Sequence, residues 1–120
     1  MARVLVIDDN AVNLDLMLYL LRSFGHQVDG CSDGISGLTS AQSNGYDIVL
    51  ADILMPGIDG YEFALRFKRN PALQAIPLVA VTALAMPGDR EQVTQAGFNG
   101  YITKPIEPRT FVLQVEAFLT

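Results

Sequence analysis

The sequence predicts an α/β fold in which one open, parallel sheet carries helices on both faces. Five short aliphatic runs alternate with five segments of helical character along the 120 residues. The strongest runs lack polar alternation, as expected for strands that are buried on both faces. Alternation of this kind is typical of a doubly wound sheet, because parallel strands need crossover helices between them.

The strands are predicted where β-branched and aliphatic residues cluster between turn residues. Three of them are strong, because they are almost wholly apolar and stop at a polar residue. The run that ends in Cys31 and the last run are weaker. The five predicted strands are residues 3–7, 27–31, 46–51, 76–81 and 98–102.

The helices are predicted from residues that begin or end them. Capping side chains begin three helices, and prolines begin the other two, at Asn10, Asp33, Asp59, Pro87 and Pro108. Four helices end at or near Gly25, Gly45, Arg69 (before Pro71) and Gly97. Helical spacing indicates buried faces with Leu14, Met17, Leu18, Leu21 and Phe24 in the first helix, Ile35, Leu38 and Ala41 in the second, and Phe111, Val115 and Phe118 in the last.

Composition indicates one compact domain over residues 1–120, since half of the residues are hydrophobic and 18% are charged. The longest stretch without charge is interrupted by Pro71, Pro77 and Pro87, which argues against a membrane-spanning helix. The N-terminus shows no signal-peptide pattern, so a cytoplasmic location is expected.

Charge and residue counts exclude several classes of site. Eight basic residues against thirteen acidic ones give a net charge of -5, and this argues against direct binding of nucleic acid. Cys31 is the only cysteine, which excludes an intramolecular disulfide and a cysteine-rich metal site, and a packing role is expected for it. His26 is the only histidine; it follows the end of the first helix, so we expect an exposed side chain rather than a catalytic one.

Chemically active side chains follow the predicted strands. Asp8-Asp9, Asp52 and Thr82 stand at strand ends, and Lys104 comes just after the last strand. In open α/β sheets the carboxyl ends of the strands form the ligand-binding edge, so these side chains are predicted to meet there. Clustered carboxylates repel one another by roughly 3 kcal/mol per pair at about 5 Å and an effective dielectric near 20. A cation relieves this repulsion, and a site of carboxylates without His or Cys favours Mg²⁺.

A cation on carboxylates beside a lysine and a hydroxyl is suited to a phosphoryl group. The lysine and the cation offset charge on the phosphoryl oxygens, the hydroxyl donates a hydrogen bond, and a carboxylate can be the nucleophile. The first strand is followed by Asp8-Asp9-Asn10-Ala11 and not by a glycine-rich turn. Dinucleotide or P-loop binding is therefore disfavoured.

Four sequence blocks together resemble bacterial response-regulator receiver domains, from Arg3 to the C-terminus. The blocks are Val6-Ile7-Asp8-Asp9-Asn10, Asp52-Ile53-Leu54-Met55-Pro56-Gly57-Ile58-Asp59-Gly60, Val81-Thr82-Ala83 and Tyr101-Ile102-Thr103-Lys104-Pro105. The resemblance implies a flavodoxin-like strand order, 2-1-3-4-5. It also implies a switch in two-component signalling that catalyses only its own phosphorylation and dephosphorylation.

The resemblance also implies a role for each site residue. Asp52 would accept a phosphoryl group. The metal ligands would be Asp9, Asp52, the main-chain carbonyl of Leu54 and, through water, Asp8. Thr82 and Lys104 would contact the phosphoryl oxygens, Tyr101 would be an aromatic switch, and the Lys104-Pro105 peptide would be cis.

The partners implied by the resemblance are a histidine kinase or a histidine phosphotransfer protein. A downstream protein would bind the face formed by the fourth helix, the fifth strand and the fifth helix, near Leu84 and Tyr101. Single-domain regulators and the receivers of hybrid kinases are the most similar members. Apolar residues at Leu54 and Leu84, two positions after Asp52 and Thr82, depart from the family pattern and are expected to slow phosphoryl loss.

Two alternatives remain open at this point. A Mg²⁺-dependent phosphohydrolase of the haloacid dehalogenase type also forms an aspartyl phosphate. However, its Asp-x-Asp pattern is not met by Asp8-Asp9-Asn10, and the chain has no room for a cap domain. The other alternative is a binding module that works without phosphorylation, which loss of Asp52 or Lys104 would indicate, and both residues are present.

Overall fold

The computed structural model describes residues 1–83 and 88–119. Strands and helices alternate along the chain as β1 (Arg3–Ile7), α1 (Ala11–Ser23), β2 (Gln27–Cys31), α2 (Gly34–Ser43), β3 (Ile48–Ala51), α3 (Gly60–Arg69), β4 (Leu78–Thr82), α4 (Asp89–Gln95), β5 (Gly100–Thr103) and α5 (Pro108–Ala117). The strands form one parallel sheet in the order β2-β1-β3-β4-β5. The predicted fold and strand order are confirmed.

Alternate residues of the three central strands point to opposite faces of the sheet, and each face has its own apolar core. On one face, Leu5, Val49 and Leu78 pack beneath α2, α3 and α4. On the other, the next residue on two of these strands, Val79 and Leu50, packs beneath α1 and α5. Burial on both faces explains why β1, β3 and β4 lack polar alternation.

The predicted caps of the first three helices are confirmed. The side chains of Asn10, Asp33 and Asp59 each accept a hydrogen bond from a main-chain N–H three residues further on, at 3.0, 2.8 and 2.9 Å. Pro108 is the first residue of α5, as predicted. The predicted start of the fourth helix at Pro87 lies outside the described residues.

Strand starts and some helix faces differ from the sequence predictions. β3, β4 and β5 each begin two residues later than predicted, at Ile48, Leu78 and Gly100. Phe24 and Ile35, predicted to be buried, are more than half exposed, at 60% and 52%. Leu20, which was not predicted, takes part in the α1 core instead.

The prediction of an exposed His26 is wrong. Its Nδ1 accepts a hydrogen bond from the Ala2 main-chain N–H at 3.0 Å, and its Nε2 lies 2.8 Å from a carboxylate oxygen of Glu116. The side chain is buried between the start of β1 and the end of α5. His26 therefore links the segment before β1 to α5. It does so at the edge of the sheet opposite the strand ends that carry Asp8 and Asp52.

Among the described residues, no helix is both long enough and apolar enough to cross a membrane.

Candidate functional site

The predicted site residues lie together at the carboxyl edge of the sheet. Asp8 follows β1, Asp52 follows β3, Thr82 ends β4 and Lys104 follows β5. Asp8, Asp52 and Thr82 are buried, whereas Asp9 is exposed. One carboxylate oxygen from each of Asp8, Asp9 and Asp52 falls within a group whose members are at most 4.8 Å apart. Side chains that are distant in the sequence therefore form one acidic cluster.

Lys104 bridges the two buried carboxylates. Its Nζ donates a hydrogen bond to Oδ2 of Asp52 at 3.1 Å and forms an ion pair with Oδ2 of Asp8 at 2.9 Å. Oδ2 of Asp8 is fully buried and faces the Lys104 ammonium. The Lys104-Pro105 peptide is cis, as predicted.

The electrostatics of the site reflect burial together with excess negative charge. Burial raises the pKa of the Asp52 carboxyl above its ordinary value; Lys104 opposes this effect and the nearby Asp8 adds to it. For Lys104, burial alone would lower the pKa, but the contacts with Asp8 and Asp52 outweigh it, so the pKa is raised. Lys104 therefore stays charged, and one cation faces three carboxylates.

The donor set fits a hard divalent cation. Three carboxylates contribute oxygen ligands with no histidine or cysteine among them, and Oδ2 of Asp8 has unused acceptor capacity. Ca²⁺ and Mg²⁺ both prefer oxygen, but a small number of carboxylates with room for water is typical of Mg²⁺.

Local hydrogen bonds fix the loops that carry the carboxylates. Oδ1 of Asp8 accepts from the main-chain N–H of Asn10 at 2.9 Å, and Asn10 in turn caps α1. Oδ1 of Asp52 accepts from the N–H of Leu54 at 3.3 Å, while the Leu54 side chain is 60% exposed. The turn after β3 therefore positions Asp52 and leaves an apolar side chain at the surface.

Gly60 lets α3 begin directly against the segment that follows β3. Its main-chain N–H donates to the carbonyl of Ile53 at 2.8 Å. A Cβ atom at Gly60 would lie 2.5 Å from the main-chain oxygen of Asp52 and 2.5 Å from Cα of Ile53, both of them rigid backbone. A glycine is needed here because any side chain would displace the segment that holds Asp52.

Thr82, at the end of β4, and Tyr101, on the edge strand β5, lie on the two paired strands beside this site. Thr82 pairs with Thr103 in the β4–β5 ladder, and its carbonyl accepts from the N–H of Lys104 at 2.9 Å. Tyr101 lies half-buried on β5, and its hydroxyl accepts two hydrogen bonds from Arg90 of α4. Nothing in the sequence of this seven-residue polar helix marks Arg90 as a partner of Tyr101. Leu84 lies outside the described residues.

Comparison with known proteins agrees with this geometry. The sequence profile for the response regulator receiver domain matches residues 4–116. The chain belongs to the response regulator receiver family. It is 34% identical over 116 residues to the polar-differentiation response regulator DivK of Brucella anthropi. The aligned residues make up 97% of this chain and 94% of that protein. Receiver domains are signalling switches of two-component systems and not enzymes in the usual sense.

Solved structures show the same fold. The chemotaxis response regulator CheY4 of Vibrio cholerae superposes with a TM-score of 0.94 at 26% identity, over 99% of each chain. The receiver domain of the sensor histidine kinase PA1611 from Pseudomonas aeruginosa gives a TM-score of 0.90 at 33% identity, over 98% of this chain and 97% of that one. That structure has a magnesium ion coordinated in its active-site cleft.

Proposed function

We propose that this chain, over residues 1–120, is a phosphorylation-dependent switch that accepts a phosphoryl group on Asp52 from a phosphohistidine. The observation that carries the proposal is the placement of Asp52, buried at a central strand end between Lys104 and two further aspartates. Asp52 would attack phosphorus in line with the departing histidine nitrogen, so that one P–N bond breaks as one P–O bond forms.

The other site residues would stabilise the charge that develops during this transfer. We assign contacts with the phosphoryl oxygens to the Lys104 ammonium and the Thr82 hydroxyl. Asp9, Asp52 and the main-chain carbonyl of Leu54 would hold Mg²⁺ directly, with Asp8 acting through water. The magnesium-loaded cleft of the PA1611 receiver domain supports this choice of ion. When bound, the ion supplies positive charge that neutralises the carboxylates and the phosphoryl oxygens.

The proposed phosphodonor is a histidine kinase or a histidine phosphotransfer protein, and the proposed location is therefore the cytoplasm. The response would be a change of the face formed by α4, β5 and α5, to which a downstream protein binds. Tyr101 lies on this face and Leu84, outside the described residues, is assigned to it from the sequence. Support for this role comes from the family and from the ladder contact that links Lys104 to Thr82.

The test is phosphorylation by acetyl phosphate with Mg²⁺, followed by intact-protein mass spectrometry. Wild-type protein is expected to gain one phosphate, and chelation of the metal should abolish the gain. D52N should gain none. D15N, which makes the same charge change at an exposed position of α1, should behave as wild type. A phosphate gained by D52N at the wild-type rate and yield would refute the assignment.

A further inference from the structure

Arg90, the second residue of α4, contacts Tyr101 of β5 in two ways. Its Nε and one terminal nitrogen both donate to the Tyr101 hydroxyl, at 2.9 and 2.6 Å. Its guanidinium carbon also lies 5.4 Å from the centre of the Tyr101 ring, within the range of a cation–π contact. The planar guanidinium thus fixes the hydroxyl and the ring together, which a lysine could not do.

Few other described interactions hold α4 to the domain. The helix has seven residues, and Val93 is the one buried among them. Its N-cap is Gly88, which has no side chain to accept a hydrogen bond and adopts a left-handed conformation at φ +96°. The Arg90–Tyr101 contact therefore contributes to the position of α4 against β5.

The same contact is connected to the acidic site through one strand. Tyr101 pairs with Ala80 in the β4–β5 ladder, two residues before the pairing of Thr82 with Thr103. The next residue, Lys104, donates from its main chain to Thr82 and from its side chain to Asp52. A shift of Thr82 or Lys104 toward a group on Asp52 would therefore move β5 near Tyr101. The contact between Tyr101 and Arg90 would change as a result.

We propose that Arg90 is a positioning residue that holds Tyr101 and α4 in the resting arrangement, and that the contact must break when Asp52 is phosphorylated. The inference rests on the proposed function. A ligand shifts a conformational equilibrium only by its different affinity for the two states, so a contact present in one state alone opposes the shift. Removing that contact should make the phosphorylated arrangement easier to reach.

The test uses beryllofluoride with Mg²⁺ as a stand-in for the phosphoryl group, titrated against the full chain and followed by NMR. R90A is expected to bind beryllofluoride about three- to tenfold more tightly than wild type, the scale of one exposed charge-assisted contact. R90K keeps the charge without the planar pair of donors and should fall between the two. R69A, which removes an exposed arginine from α3, is the matched control and should equal wild type.

A second arm separates the contact from general loosening of α4. Y101F removes the hydroxyl acceptor but keeps the ring, so R90A in the Y101F background should retain only the effect of the ring contact and change affinity clearly less than R90A alone. Unchanged or weaker binding by R90A, or the full effect in the Y101F background, would overturn the inference while the proposed function stands. Failure of the wild-type chain to bind beryllofluoride would overturn both.

Discussion

Among the described residues, Tyr61 and Tyr46 differ in the hydrogen bonds that their hydroxyl groups make. The Tyr61 hydroxyl is buried and, within the described part of the chain, makes no hydrogen bond. Burial raises the pKa of Tyr61, and the negative charges of Asp89 and Asp59 add to the effect. The Tyr46 hydroxyl, by contrast, lies 2.6 Å from an oxygen of Asp29 and 3.0 Å from that of Ser40.

Substitution of these two tyrosines should therefore have opposite effects. Y61F removes a buried polar atom that has no partner among the described residues, so it should raise the free energy of unfolding by about 1 kcal/mol. Y46F removes an atom with two partners and should lower it by about 1 kcal/mol. Urea denaturation measures both, and a loss of stability in Y61F would contradict the account.

Leu54 belongs to the same scale, because its side chain is exposed at the mouth of the site. A leucine cannot hydrogen-bond a water molecule and orient it toward phosphorus. The double variant L54N/L84E should therefore lose phosphate faster, and a tenfold acceleration would correspond to about 1.4 kcal/mol of the barrier. The decay of the phosphorylated protein after removal of acetyl phosphate measures this. An unchanged rate would show that the leucines do not limit the access of water.

At the scale of elements, α3 and α4 differ in length, in their N-caps and in the apolar side chains that they bury. α3 has ten residues, an Asp59 cap and the buried side chains of Phe63 and Phe67. α4 has seven residues, buries Val93 and has a glycine, Gly88, as its N-cap. The amides of α4 should therefore exchange hydrogen fastest among the five helices, and their exchange should change on phosphorylation. Equal protection of α3 and α4 in native-state exchange would contradict this.

The elements also show why some sequence predictions were correct and others were not. The caps at Asn10, Asp33 and Asp59 were predictable because each contact spans three residues of sequence. His26 was not, because its partners are 24 and 90 residues away and only the folded chain brings them near.

The strand starts were misplaced for a similar reason. Tyr46 before β3 is buried and Ile76 before β4 is half-buried, although neither belongs to a strand. Burial alone therefore cannot reveal where pairing begins. The gathering of the polar residues that follow the strands was predictable, because the strands of a parallel sheet all end at the same edge. Lys104 was expected at this edge and, from the family resemblance, in contact with phosphoryl oxygens, but its direct contact with Asp52 was not predicted. Arg90 left no signal in the sequence.

At the scale of the whole molecule, function and stability oppose each other at the acidic site. Folding brings Asp8, Asp9 and Asp52 together beside the ammonium of Lys104, which among the described residues pairs with Asp8 and Asp52. Negative charge is therefore in excess, and burial disfavours the ionised form of Asp52. Binding of a cation to the folded chain alone would add stability according to its concentration and affinity.

D52N should therefore be more stable than wild type without Mg²⁺ at pH 7, by about 1–3 kcal/mol, the scale of one carboxylate pair. Because folding raises the pKa of Asp52, the penalty is fully present above that raised pKa. It disappears as the pH falls below the ordinary value of about 3.9, where Asp52 is protonated in both states, so the advantage of D52N should shrink on acidification. Added Mg²⁺ should stabilise wild type more than D52N, since the variant lacks one of the proposed ligands. Denaturant titrations at several pH values, with D15N as the charge-matched control, measure these effects. If D52N gained no more than D15N at pH 7, buried negative charge at Asp52 would not be what limits the stability of this domain.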